Sequence, residues 1–443
     1  MSKSTEELKK QVRHASLWRS PWPYLAIIVV LILLGLAAMQ VPAVETRARN
    51  LYSRIYYRLN PPTENVFGPS QQGTISADVL ATLTAMAPTA TLEPTATDAQ
   101  LAQQTTVATE IPAPTNTPIP VPVSFALDGM GLEYQTMNNC GPANLSMNVT
   151  YWGWPTNQHI TEDALKTHED DRNVMLQEML DYAQANTDLK GQLRFGGDID
   201  VIKRLLSSGF PVLLERGHTD EEDGWMGHYS IITAYDDNSQ SVQIPDTLLG
   251  MMSMTYAELQ HDWWHFDGIY LVLYPAEREQ DVLTLLGSDA DPAQNLQNTL
   301  AKLDARIQQV SGQELFFAFY SKGSVLVEMS DFLGAAQAYD QAFALYNQLE
   351  PGQRPWRITW YQVGPYLAYY YTGRFQDTLN LAAQTIDNFA NSNLAELPES
   401  WYWGGQSALM LGDKDAAARY FRKALEFYPG WDLATQGLAQ AES

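Results

Sequence analysis

The sequence predicts an α+β domain followed by an all-α array of helical repeats, both behind one N-terminal transmembrane helix. Three observations carry this expectation. Residues 20–44 form an uncharged run of 25 positions, residues 61–120 hold nine Pro and thirteen Thr with no Lys or Arg, and beyond about residue 313 small and aromatic residues recur at helical spacing. A chain of 443 residues exceeds one ordinary domain, and 45% hydrophobic against 18% charged residues excludes wholesale disorder.

Charge and cysteine content narrow the function classes. Residues 1–60 carry nine basic and three acidic side chains, whereas the whole chain has 27 Lys and Arg against 51 Asp and Glu, a formal net charge of −24. Nucleic acid is not expected as a partner, because a phosphate backbone is neutralised by Lys and Arg. The one cysteine, Cys140, rules out an intrachain disulfide and a cysteine-rich zinc site.

Residues 1–21 read as a cytoplasmic tail and 22–44 as a transmembrane signal-anchor, since about 20 apolar residues span a bilayer. Trp18, Trp22 and Tyr24 sit at one end, where interfacial aromatics belong. Basic residues flank both ends, so the orientation is taken from the segment C-terminal to the span. Residues 45–120 read as a membrane-proximal segment and then a Pro/Thr-rich stalk, of the kind that holds a domain off a surface. The expected location is the cell membrane, single-pass, with the C-terminal domains extracytoplasmic. The alternative is secretion after cleavage of a signal peptide near Ala37-Ala38.

The chain turns globular near Val121, and 121–276 is the expected α+β domain. Its most informative stretch is Gln135-Thr-Met-Asn-Asn-Cys-Gly-Pro-Ala143. Pro142 suits the first turn of a helix, where a missing N–H costs nothing. Leu145, Val149 and Trp152 follow at helical spacing and predict one inward face. Cys140 is then at a helix N-terminus, where unpaired N–H groups and the helix dipole stabilise a thiolate. Gln135 could donate its amide N–H to an oxyanion forming on a substrate carbonyl.

A thiol nucleophile needs a base. His228 opens Gly227-His-Tyr-Ser-Ile-Ile-Thr-Ala-Tyr-Asp-Asp237, a strand closed by a polar turn, and Ser241-Val-Gln-Ile244 leads to Pro245-Asp246. In a hairpin the end of the second strand returns beside the start of the first, which puts Asp246 next to His228 to orient its imidazole. Asp236 and Asp237 are the rival acids. His261 and His265, four apart, could share one helical face, but a third metal ligand is not evident and Trp263-Trp264 suggest packing. His218, beside Thr219-Asp-Glu-Glu-Asp223, is expected in a solvated acidic loop. No metal and no cofactor are expected.

Gln-x4-Cys-Gly-Pro-Ala, Gly-His-Tyr before an apolar strand, and Pro-Asp together resemble the bacteriocin-processing-type cysteine peptidases. These are papain-like enzymes of peptidase family C-thirty-nine, and the likeness is to the C-thirty-nine-like branch that lacks transporter domains. The resemblance covers 121–276. It implies a papain-like fold, with Cys140 as nucleophile, His228 as base, Asp246 as orienting acid and Gln135 as oxyanion donor. No ATP-binding cassette follows, so export-coupled leader cleavage is not implied.

Residues 277–312 read as a linker helix, and 313–443 as the repeats. Pro398–Trp431 is one 34-residue unit in which Trp401, Gly405, Gly412, Ala417, Phe421, Ala424 and Pro429 occupy the positions used by a tetratricopeptide repeat. Leu315–Tyr346 repeats the theme and Trp360–Ile386 is a degenerate copy. The resemblance to tetratricopeptide proteins implies a protein partner for this region.

These features predict a membrane-anchored cysteine peptidase acting on a peptide or protein substrate. The alternatives are a non-catalytic peptidase-fold scaffold for protein–protein interaction, and a thiol transpeptidase or amidase. All four candidate site residues precede residue 250, so the α+β domain is expected to stand alone.

Overall fold

The computed structural model describes residues 121–443, except 169–170, 173, 221–223 and 390–395, together with 67–70 and scattered positions between 22 and 60. The tail over 1–21, most of the helix over 22–44 and most of 45–120 lie outside the described residues. Among the described residues no helix is long and apolar enough to cross a membrane. Residues 1–61 form a unit of their own, and the strands and helices numbered here belong to 62–443.

Eight strands build two antiparallel sheets. They are β1 (Ser124–Ala126), β2 (Leu189–Arg194), β3 (Val212–Asp220), β4 (Gly224–Ile232), β5 (Ala234–Asp236), β6 (Ser241–Asp246), β7 (Gly250–Thr255) and β8 (Tyr270–Pro275). One sheet has the order β1-β5-β6-β7 and the other β2-β8-β3-β4. The sequence of β8 is apolar throughout because both of its faces are covered. Tyr270, Val272 and Tyr274 enter one core with β6, whereas Leu271 and Leu273 enter a second.

Helix α1 (Cys140–Tyr151) lies in that second core with α2 (Gln158–Leu165) and α3 (Leu176–Asn186). Leu145 and Val149 are buried, as their spacing predicts. The burial goes further than one face: every residue from Gly141 to Val149 is buried, so α1 is a central helix. Helices α4 (Ile199–Ser207) and α5 (Tyr256–Trp263) cover the first core. Residues 277–312 are more than a connector. Val282, Leu285 and Leu286 of α6 (Glu279–Leu286) are buried in the first core, and Asn295 of α7 (Pro292–Ile307) exchanges two hydrogen bonds with the Phe195 backbone, each 2.9 Å.

The remaining helices are α8 (Gly312–Glu328), α9 (Phe332–Tyr346), α10 (Ile358–Tyr361), α11 (Gly364–Tyr371), α12 (Phe375–Asp387), α13 (Pro398–Met410), α14 (Lys414–Phe427) and α15 (Asp432–Glu442). Small residues allow the close approaches. A Cβ on Gly323 would meet the Tyr339 ring at 2.6 Å, and one on Gly405 would meet the Phe421 ring at 2.9 Å.

The α+β domain does not end at a solvent-filled seam. Trp225 and Phe266 stack at 5.6 Å and join one hydrophobic core with Phe316, Phe317, Tyr320 and Tyr339 of the helices. Polar contacts reinforce it: Ser321 Oγ donates to Trp264 O at 3.2 Å and Gln362 Nε2 to His265 O at 2.9 Å. The expectation that 121–280 folds alone therefore meets a core that continues into α8. Four residues of the expected stalk, 67–70, also pack on the helices, with Phe67 buried against Phe343. Truncating Phe317 to Ala should cost about 3–5 kcal/mol and should unfold strands and helices in one transition. Denaturant melts read at a sheet-specific and a helix-specific probe would check this; two separated midpoints would show independent domains.

Candidate active site

Cys140 is the first residue of α1, preceded by the N-cap Asn139, whose side chain makes no capping bond. The thiol sits where helix N–H groups are unpaired. Its polar surroundings are the imidazole of His228 and the backbone N–H groups of Tyr229 and Gly141. Removal from water pushes a thiol up, but here the histidine and the two N–H donors outweigh it and the thiol pKa is lowered. Asn144, one helical turn on, donates to Cys140 O at 2.9 Å and to Tyr229 O at 3.1 Å, tying α1 to β4.

His228 is delivered by β4, in one sheet, and Asp246 by the end of β6, in the other. The chain passes between sheets at Thr233, whose N–H donates to Gln243 O at 3.1 Å. That crossover returns β6 beside β4 and leaves Asp246 Oδ2 2.9 Å from His228 Nε2. Nε2 therefore faces the acid, which leaves Nδ1 for the thiol. Burial opposes a charged imidazole, yet the bonds to Asp246 and Cys140 raise His228 to about 9. Asp246 shifts the other way. Against burial, His228 and the N–H groups of Leu249 and Leu248 hold its carboxyl well below the ordinary range.

The rival acids are engaged elsewhere. Asp236 accepts from Asn238 N at 2.8 Å within its turn, and Asp237 pairs with Lys203 at 2.8 Å. Gln135 reaches the site through the residue after the acid. Its N–H donates to Thr247 O at 2.8 Å, and Thr247 Oγ1 donates to Gln135 Oε1 at 2.6 Å. The amide oxygen is thereby fixed and Nε2 becomes the donor end of the side chain.

Several neighbours were not visible in the sequence. Arg216 of β3 is only 1% exposed, and its Nη2 lies 3.3 Å from Asp246 Oδ2. Its Nη1 lies 3.5 Å from Asp262 of α5, and its Nε donates to Ser230 Oγ at 3.0 Å. The one signal that could have found it is an Arg carried by a strand that opens with the apolar run Val212–Leu214. His218 is not in a solvated loop: it lies on β3, half-buried, with its ring 5.9 Å from that of His228. Burial and the His228 charge lower its pKa.

The third partner for His261 and His265 is Glu314 of α8, and the three ligating atoms lie within 4.8 Å of one another. The tautomer argues against a metal there. Trp225 Nε1, a donor only, points at His265 Nδ1 at 3.2 Å, so the neutral ring carries its proton on Nε2. That proton faces Glu314 Oε1, 3.5 Å away. His261 Nε2 also meets Glu314, at 2.7 Å, and Arg306 pairs with its other oxygen. Trp263 packs in the core, as the pair of tryptophans in the sequence suggests.

A cavity of about 680 Å³ opens between the sheets and the helices, with Leu176, Leu193, Glu215, Asp267, Tyr361 and Leu367 among its walls. Glu215 stands opposite Tyr229 in the β3–β4 ladder, one residue from the histidine. Burial raises Asp267 to about 7.

Comparison with known proteins finds that residues 121–271 match the model of the Peptidase_C39 like family. A crystal structure from Bacillus anthracis, described as that of a candidate C39-like peptidase, is similar at 15% identity with a TM-score of 0.28, covering 34% of this chain and 97% of its own. No curated protein matches the chain. The family match supports a C39-like peptidase domain, here built of antiparallel sheets and helices, and it suggests a cysteine peptidase.

The charges give a pH signature. The thiolate forms as pH rises through a depressed thiol pKa, and the imidazolium persists until about 9. Alkylation of Cys140 by iodoacetamide should therefore be well advanced below the ordinary thiol value of about 8.5. Replacing His228 with Ala removes the cation and should move the alkylation midpoint upward; an unchanged profile would show that His228 does not partner the thiol.

Proposed function

We propose that this chain is a membrane-anchored, extracytoplasmic cysteine peptidase using Cys140, His228, Asp246 and Gln135, with a tetratricopeptide-like platform for a protein partner. One observation carries the catalytic part: a thiol at a helix N-terminus in line with a buried histidine whose far nitrogen is 2.9 Å from a buried carboxylate. The anchor rests on the uncharged run over 20–44, and the platform on the small and aromatic pattern of 313–443.

In this reading the Cys140 thiolate attacks the carbonyl carbon of the scissile peptide bond. The carbonyl oxygen takes the negative charge and accepts the Gln135 amide N–H. The C–N bond breaks as His228 gives its proton to the leaving amine, and the acyl group stays on sulfur. Water then attacks the thioester, giving its proton to His228. The carboxylic acid leaves and the thiolate–imidazolium pair is restored. Asp246 keeps Nε2 protonated and Nδ1 directed at the thiol throughout.

A fluorogenic peptide library tests the reaction. Cys140→Ala should lose all turnover while keeping its fold, and His228→Ala should lose roughly 10²–10⁴-fold. Asp246→Asn should lower turnover without abolishing it. Undiminished hydrolysis by the Cys140→Ala protein would sink the peptidase reading. A transpeptidase would instead show amine-dependent product with the same variants. Protease added outside intact cells should reach everything beyond about residue 60; protection of the C-terminal region would reverse the topology.

A further inference from the structure

The segment 67–70 (Phe-Gly-Pro-Ser) makes contacts out of proportion to its length. Phe67 is 6% exposed, with its ring 4.9 Å from that of Phe343 on α9 and 6.0 Å from that of Tyr369 on α11. Three residues on, every polar group of Ser70 is engaged. Its N–H donates to Asp377 Oδ1 at 3.0 Å and its hydroxyl to Asp377 Oδ2 at 2.9 Å, while its carbonyl accepts from Arg374 Nη2 at 3.2 Å.

The receiving residues are themselves fixed. Arg374 is held by Asp340 at 2.8 Å and by Asp377 at 2.7 Å, and its guanidinium lies 4.3 Å from the Tyr369 ring centre. Asp377, at the start of α12, is 2% exposed and accepts from both Arg374 and Ser70. An aromatic anchor in an aromatic pocket, with an Arg–Asp pair reading a backbone N–H and C=O, is the grammar of peptide recognition. The partner segment is more than 300 residues away in sequence: Ser70 and Asp377 are 307 apart.

We infer that the face formed by α9, α11 and α12 is a peptide-binding site whose occupant is this chain's own 67–70 segment. The face reads Phe67 by burial and Ser70 by its backbone and hydroxyl. Pro69, half-buried between them, limits the conformations the free segment can adopt. This inference does not depend on the peptidase reading.

The test uses the full chain with an N-terminal affinity tag and a site-specific protease sequence inserted between residues 95 and 96. After complete cleavage in detergent, capture on the tag should bring down the 96–443 fragment with the N-terminal piece. Excess free peptide spanning 64–72 should release that fragment, whereas the same peptide with Ala for Phe67 should need at least tenfold more. Phe67→Ala in the chain should abolish retention, and it should let a fluorescent 64–72 peptide bind at least tenfold tighter than to the uncut parent chain, whose site is filled. Arg374→Ala should weaken that binding. Separation of the fragments from the parent chain straight after cleavage would overturn the inference, as would retention that neither peptide competes. Should Phe67→Ala fail to fold, the competition on the parent chain decides alone.

Discussion

A carboxylate taken almost wholly out of water must have all its lone pairs occupied, and Asp246 at 1% exposure meets that demand in full. One oxygen accepts the N–H groups of Leu248 and Leu249, each at 2.9 Å. The other is shared by His228 at 2.9 Å and Arg216 at 3.3 Å. The four donors come from three parts of the fold. The turn after β6 has to be tight enough to aim two N–H groups at one oxygen. After β4 the chain has to cross from one sheet to the other at Thr233, so that β6 brings the carboxylate alongside the histidine. Strand β3 has to carry a fully buried arginine into the same pocket. Loss of one partner would leave a charge with nowhere to go, so the arrangement behaves as a unit.

The thiol completes it from the opposite side. Asn144 of α1 bonds the carbonyls of both Cys140 and Tyr229, which keeps the helix terminus against β4. The charge on sulfur is balanced by donors already in place, so little reorganisation is required when it forms. Burial of α1 on all sides makes its N-terminus a stable platform for a reactive group.

Local sequence was enough for what is locally determined. Cys140 with Pro142 two residues on, the polar close after His228, and the short return to Pro245-Asp246 are features whose geometry follows from spacing. Sequence reasoning failed where the partner comes from far away. Arg216 carries no local signal, because nothing near it in sequence announces Asp246 or Asp262. His218 has acidic neighbours that suggest a solvated loop, although the strand runs on through it. Glu314 could not be assigned to His261 and His265 without knowing that α8 docks beside α5. The continuity of the core was out of reach for the same reason: Trp225 and Phe266 are apolar residues of an α+β domain by sequence, and only tertiary packing shows that their neighbours are Phe317 and Tyr361.

The ion pairs of the site and the seam form one connected series. Asp246 contacts Arg216, Arg216 contacts Asp262 at 3.5 Å, Asp262 contacts His261 at 2.9 Å, and His261 contacts Glu314 at 2.7 Å. The series starts at the candidate catalytic acid and ends on the first helix of the array. Modularity is therefore set at a different scale from the one that family boundaries suggest. A hybrid that grafts 121–276 onto a foreign helical region would remove Glu314 from His261 and leave Asp262 as its acidic partner. A graft that keeps this series intact has to carry α8, with Glu314, along with 121–276.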